Sequence, residues 1–195
     1  MRNRERRSKS QRGFTLVEVM IAIVILSIGI LTVVAAFATA VASTQNAQEN
    51  LIARQKALEA MESIFTARNT QQITFSQIAN IPSGGIFSSG ATPLWDAGGD
   101  GLVNTADDVP FAAKGVCPAG SECITLPGPD GILGTSDDVP MSLANFTRQI
   151  QINQVLEADG SVNPNLKQIT VTVSYVGLSA LPRSYSVNAL ISSFR

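Results

Sequence analysis

The sequence predicts an α+β fold: a long N-terminal helix, membrane-spanning in its first half, packed on a C-terminal antiparallel β-sheet. Three observations predict it. From Val19 to Ala42 no residue is charged. Helical signals then continue without Gly or Pro from Thr44 to Arg68. From Phe146 onward, apolar and polar residues alternate with the period of a strand.

The uncharged run comes first in the chain. At about 1.5 Å per residue it reaches roughly 36 Å as a helix, enough to cross a hydrocarbon core of about 30 Å with some tilt. Six basic residues (Arg2, Arg4, Arg6, Arg7, Lys9, Arg12) and one acid (Glu5) precede it, while the chain as a whole has a net charge of −1. The basic segment beside an apolar run places the N-terminus in the cytoplasm and the C-terminal domain outside, by the positive-inside rule. Beyond the leader the chain is acidic. It has no clustered Lys and Arg to neutralise phosphates, which argues against nucleic-acid binding.

Apolarity alone does not account for Gly13-Phe14-Thr15-Leu16-Val17-Glu18 at the mouth of the run. A short basic leader, these six residues and the apolar stretch together resemble the type IV pilin and pseudopilin family. The resemblance covers residues 1 to about 68. It implies that a prepilin peptidase cuts between Gly13 and Phe14 and methylates the new Phe14 amino group. It also implies that Glu18 helps the subunit join a filament with other pilin or pseudopilin subunits on a pilus or secretion assembly platform. Val17-Glu18-Val19-Met20-Ile21-Ala22-Ile23 is most similar to minor pilins of the PilV type. The implied location is the bacterial inner membrane, then a periplasmic or extracellular filament. The competing reading is a secretory signal peptide cut at Ala40-Val41-Ala42. Against it, a secretory apolar region runs about 7–15 residues, well short of this one.

In this order the chain divides into a cleaved leader (1–13), a pilin-type helix (14–68, with 14–42 transmembrane), a variable Gly/Asp-rich loop region (69–145) and a C-terminal antiparallel sheet (146–195). Beyond the membrane, Leu51, Leu58, Met61 and Phe65 form one helical stripe, widened by Ala47 and Ile64. Glu49, Arg54, Lys56, Glu59 and Glu62 take the solvated side. Within the apolar half, Gly29 and its small neighbour Ser27 offer a place for close helix approach or local unwinding.

The loop region holds a near repeat. Gly98-Gly-Asp-Gly-Leu-Val-Asn-Thr-Ala-Asp-Asp-Val-Pro110 aligns with Gly128-Pro-Asp-Gly-Ile-Leu-Gly-Thr-Ser-Asp-Asp-Val-Pro140. A Gly-assisted turn, two apolar anchors and paired carboxylates suit an oxygen-ligand loop, since calcium takes six to eight oxygens. Asp100, Asp107 and Asp108 are thus candidate ligands of one cation, and Asp130, Asp137 and Asp138 of another. Similar stretches resemble the calcium loops of major secretion pseudopilins and other bacterial surface proteins. The alternative is a pair of turns capped by their own Thr and Asp side chains. Cys117 and Cys123, in an exported domain, suit a small disulfide loop. The C-x5-C spacing is not a redox C-x-x-C, and the chain has no further Cys and no His to complete a zinc shell.

Three strands close the chain. Phe146–Leu156 alternates, Gln168–Val176 alternates most clearly, and Tyr185, Val187, Ala189 and Ile191 repeat the pattern. Asp159-Gly160 and Asn163-Pro164-Asn165 are predicted to turn between the first two. Short links suggest an antiparallel meander with one face on the Leu51–Phe65 stripe.

Histidine is absent, no Ser-x-x-Lys occurs, and Ser83-Gly84-Gly85-Ile86 lacks the Gly-Lys-[Ser/Thr] of a phosphate loop. The sequence therefore reads as a non-enzymatic structural subunit, a minor pilin or pseudopilin that requires no cofactor, with calcium as its one candidate ligand. The alternative class is a single-span anchored, calcium-binding surface or adhesion module that does not polymerise.

Overall fold

The computed structural model describes residues 13–177 and 181–194. The basic leader, apart from Gly13, lies outside them. Contacts divide the chain into two units, one up to Thr44 and one from Gln45.

Helix α1 runs unbroken from Leu16 to Asn69. In the first unit its apolar side chains are exposed on every side, as suits a helix solvated by lipid. Among the described residues it is the one helix long and apolar enough to span a membrane.

In the second unit the same helix buries Ile52, Ala53, Ala57, Ala60, Met61, Ile64, Ala67 and Arg68. The predicted stripe is therefore corrected. Met61 is buried and Phe65 half-buried, but Leu51 is 63% and Leu58 41% exposed, whereas Ala53, Ala57 and Ala60 are fully enclosed. Alanine lets the helix backbone come close to the sheet, so the small residues take the inner face and the larger leucines are left outside. Lys56 also leaves the solvated side assigned to it: its side chain is 12% exposed and reaches Glu122.

The sheet has the order β1 (Thr92–Pro93), β4 (Phe146–Leu156), β5 (Val162–Val176), β6 (Pro182–Ser192), all neighbours antiparallel. The last three strands form the predicted meander. Ile150, Ile169, Val171, Val173 and Tyr175 face the core, and Tyr175 stacks on Phe146 with ring centroids 5.1 Å apart. One turn differs from expectation. The chain reverses at Glu157–Ser161, with Gly160 N–H bonded to Glu157 O, while Asn163-Pro164-Asn165 lies inside β5. A register shift between Gln154 and Val155 accommodates the proline there.

The loop region supplies more than turns. β2 (Cys123–Leu126) and β3 (Val139–Ser142) form a separate two-stranded ribbon, and the Ile81–Ser83 segment makes one turn of 3-10 helix. Leu94, Leu102, Val103, Phe87 and Leu143 from this region enter the same core as the helix and sheet.

Candidate assembly site and twin acidic loops

The start of α1 gives the Gly13–Glu18 motif a physical role. Thr15 precedes the first helical residue, and its hydroxyl accepts the Glu18 N–H at 3.2 Å. Thr-x-x-Glu is the sequence form of a capping box, so Thr15 is the cap and Glu18 the third helical residue. A carboxylate there also lies in the favourable field of the helix N-terminus. The pattern was readable in the sequence as a helix start. Phe14, just outside the cap, is exposed.

Farther along, Gly29 leaves a shallow apolar groove of about 490 Å³ between Ile25, Leu26, Ile30, Val33 and Val34. The helix does not unwind there. Thr32 donates to Gly29 O at 2.8 Å, and a side chain added at Gly29 would meet nothing within 4 Å.

The twin loops adopt one geometry twice. In the first, Asp107 Oδ2 accepts the amides of Gly99 (3.0 Å) and Asp100 (3.2 Å), and Asp100 Oδ1 accepts Leu102 N–H (2.7 Å). Thr105 donates its hydroxyl to Asp107 Oδ1 (2.7 Å), and Asn104 N–H goes to Asp108 Oδ2 (2.7 Å). In the second, Asp137 Oδ2 accepts Asp130 N–H (3.2 Å), and Asp130 Oδ1 accepts Ile132 N–H (2.8 Å). Thr135 bonds Asp137 Oδ1 (2.6 Å), and Gly134 N–H goes to Asp138 Oδ2 (2.7 Å). The opening glycines are required by close approach. A Cβ on Gly98 would sit 2.4 Å from Asp107 O, and one on Gly128 2.2 Å from Asp137 O.

Each candidate calcium ligand is thus already engaged by a donor of its own loop. Hydroxyl donation from Thr105 holds Asp107 below its ordinary carboxylate value, and Thr135 does the same for Asp137. Asp100 is shifted the other way, chiefly by partial burial. Asp138 Oδ1 is the one carboxylate oxygen in the pair of loops that is buried without a donor. Among the described residues no three Asp, Glu, Cys or His side chains converge as a metal shell. The donor set in this arrangement fits self-capped turns, and the bonds leave each carboxylate further lone pairs with which to meet a cation.

The loops differ in their surroundings. Leu102 and Val103 are 1% and 8% exposed, whereas the equivalent Ile132 and Leu133 are 60% and 61% exposed. The seventh position is left-handed in both: Asn104 at φ 62° and Gly134 at φ 91°. In the first loop its side chain is used. Asn104 Oδ1 accepts from Arg148 Nε at 2.7 Å, and its Nδ2 donates to Arg148 O at 3.2 Å. Burial pulls the Arg148 guanidinium below its ordinary value. The sequence marks neither residue as special.

Cys117 and Cys123 are joined as a disulfide with Cα atoms 5.9 Å apart. Glu122 beside it is fixed by main-chain bonds to Leu94 O and from Leu143 N. Its carboxylate meets Lys56 Nζ at 2.6 Å, and Lys56 also reaches Glu59 at 2.8 Å. Burial opposes the Lys56 charge, but the two carboxylates outweigh it and hold its pKa above the ordinary value.

Residues 8–39 match the prokaryotic N-terminal methylation motif. No curated protein and no solved structure matches the chain. The motif, with the capped apolar helix that carries it, makes the N-terminus of the chain type IV pilin-like, of the prepilin-processed kind, and the helix is long and apolar enough to anchor it in a bacterial membrane.

Proposed function

We propose that the protein is a minor pilin or pseudopilin, of the PilV type among minor pilins. It would serve as a structural subunit of a type IV pilus or type II secretion-like filament, with its N-terminus cytoplasmic before assembly and its C-terminal domain periplasmic. Prepilin peptidase, other pilin or pseudopilin subunits and the assembly platform are its partners, and nucleic acid is not one. The observation that carries the reading is Glu18, held at the capped head of a helix with no other charge until Glu49.

The mechanism rests on that charge. A carboxylate in the apolar zone costs about 2–3 kcal/mol unless it is paired. Cleavage between Gly13 and Phe14 creates an ammonium at Phe14, next to the helix cap. In a filament the Phe14 ammonium of one subunit pairs with Glu18 of its neighbour, while the apolar helices bury one another. The lone subunit bears the penalty and the joined subunit does not, so assembly in register is favoured.

Mass spectrometry of the mature N-terminus tests the reading. Wild-type protein from membranes should begin at a methylated Phe14. Gly13→Val, which puts a branched side chain beside the scissile bond, should leave the leader attached. A mature chain that begins at Ser43 would instead identify a signal-peptide substrate.

A further inference from the structure

Both ends of β6 are fixed against the part of α1 that belongs to the second unit. At the far end, Arg68 Nη2 donates to Ser193 O at 2.9 Å. At the near end the chain leaves β5 at Gly177, where an added Cβ would lie 2.6 Å from Glu49 Oε2 and 3.2 Å from Asn46 Oδ1. Only a residue without a side chain lets the two backbones come so close. Asn145 Nδ2 holds the last carbonyl of β5, Val176 O, at 2.9 Å.

Asn46 follows Ala42, where the apolar run ends, by four positions. As a helix those residues rise about 6 Å, and however the two units are arranged they reach no more than about 14 Å. The headgroup layer is about 5–7 Å deep on each side of a bilayer. A surface beside Asn46 therefore borders that layer.

The chemistry there suits it. Val176 and Leu181 are exposed, Val176 pairs with Pro182, and the exposed Arg183 follows. An arginine beside apolar residues can lay its stem along them and raise its guanidinium to a phosphate. Exposed apolar residues alone would not single out this end. At the opposite end of β5, Leu156 and Val162 are exposed too, but the exposed acids Glu157 and Asp159 stand beside them.

We infer that the β5–β6 end of the sheet seats Val176, Leu181 and Pro182 at the headgroup–acyl boundary of the membrane that α1 spans, with Arg183 on a lipid phosphate. The subunit is then held down on the bilayer by its globular part as well as by its helix. This rests on reading the apolar run as a membrane span, and not on filament assembly.

Tryptophan quenching in the full-length chain tests it, in vesicles of phosphatidylethanolamine and phosphatidylglycerol with lipids brominated high in the acyl chain. Leu181→Trp and Leu156→Trp place the probe at leucines 63% and 62% exposed, and the wild-type signal of Trp95 is subtracted. Strand β5, 15 residues and so roughly 50 Å long, separates them. Leu181→Trp should be quenched several-fold more strongly than Leu156→Trp, with its emission shifted to the blue. Adding Arg183→Glu should weaken that quenching, and quenching indifferent to it overturns the phosphate contact. Equal quenching at both leucines overturns the inference, as does none at Leu181→Trp while Phe37→Trp inside the run is quenched. An unquenched Phe37→Trp overturns the membrane span itself, and the inference with it. A blue shift at Leu181→Trp without quenching, growing with protein density, overturns the lipid assignment in favour of a second copy.

Discussion

Arg148 and Asn104 hold each other by two hydrogen bonds, guanidinium Nε to Oδ1 at 2.7 Å and Nδ2 to the Arg148 carbonyl at 3.2 Å. A cation that is 3% exposed therefore relies on a neutral amide as its close partner. The amide reaches it because Asn104 accepts a left-handed backbone, which asparagine tolerates better than most residues.

The second loop supplies the experiment for that pair. It carries Gly134 where the first carries Asn104, so Asn104→Gly should keep the turn and remove only the amide. Hydrogen bonds to charged groups contribute about 1.5–3 kcal/mol, and leaving the guanidinium short of a partner puts the loss at the upper end. Thermal unfolding of the variant should fall by several degrees. A melting temperature equal to wild type would show that water replaces the amide without cost.

The acid limb of stability should depend on the two loop threonines. Asp107 and Asp137 have folded pKa values below the ordinary 3.8, so their stabilisation is present above that value and is lost as pH falls through the folded ones. Asp100 is raised, so protonating it relieves a small strain as pH falls and works in the opposite direction. Thr105→Val and Thr135→Val remove the hydroxyl donors. Each should lower stability near neutral pH, where the carboxylate is charged, and leave it nearly unchanged in strong acid, where the wild type has already lost that contribution. The acid limb thus becomes shallower, and urea unfolding followed by circular dichroism at the two pH values reads it. The same loss at both pH values in both variants would mean that the hydroxyls do not hold the carboxylates in solution.

Calcium binding by the twin loops is a proposal that melting curves decide. Loops that are self-capped turns and nothing more would leave the melting temperature of the full chain unchanged by calcium against a chelator. A bound cation would instead add about 2.7 kcal/mol at a hundredfold excess over its dissociation constant. An upward shift of several degrees with calcium, and much less with magnesium, would show that the loops ligate it.

Glu18→Ala removes the one charge between Arg12 and Glu49. Membrane insertion should hold or improve, and cleavage after Gly13 should continue. Incorporation into sheared filaments should collapse, since removing one member of a buried pair typically costs about 3–5 kcal/mol. Equal incorporation at matched membrane levels would reject the Phe14–Glu18 pairing. Absence of the wild type from filaments would favour an anchored module.

By itself the sequence determined whatever is encoded locally. The uncharged run made a helix, period-two alternation marked β4 to β6, and the repeat at an offset of 30 implied two loops of one shape. These features depend on neighbours close in the chain, or on the solvent the chain must match, and so survive without tertiary context. The inner face of α1 was decided only in three dimensions. Hydrophobicity favoured Leu51 and Leu58, but close packing on the sheet selected Ala53, Ala57 and Ala60, because their small size lets two backbones approach. The same holds for Lys56 with Glu122, Asn104 with Arg148 and Asn80 with Ile152. Each joins residues 44 to 72 positions apart, and such partners have no periodicity to announce them. Tertiary structure also separated the twin loops, burying Leu102 and Val103 and leaving Ile132 and Leu133 in solvent, because only one copy folds back against the core.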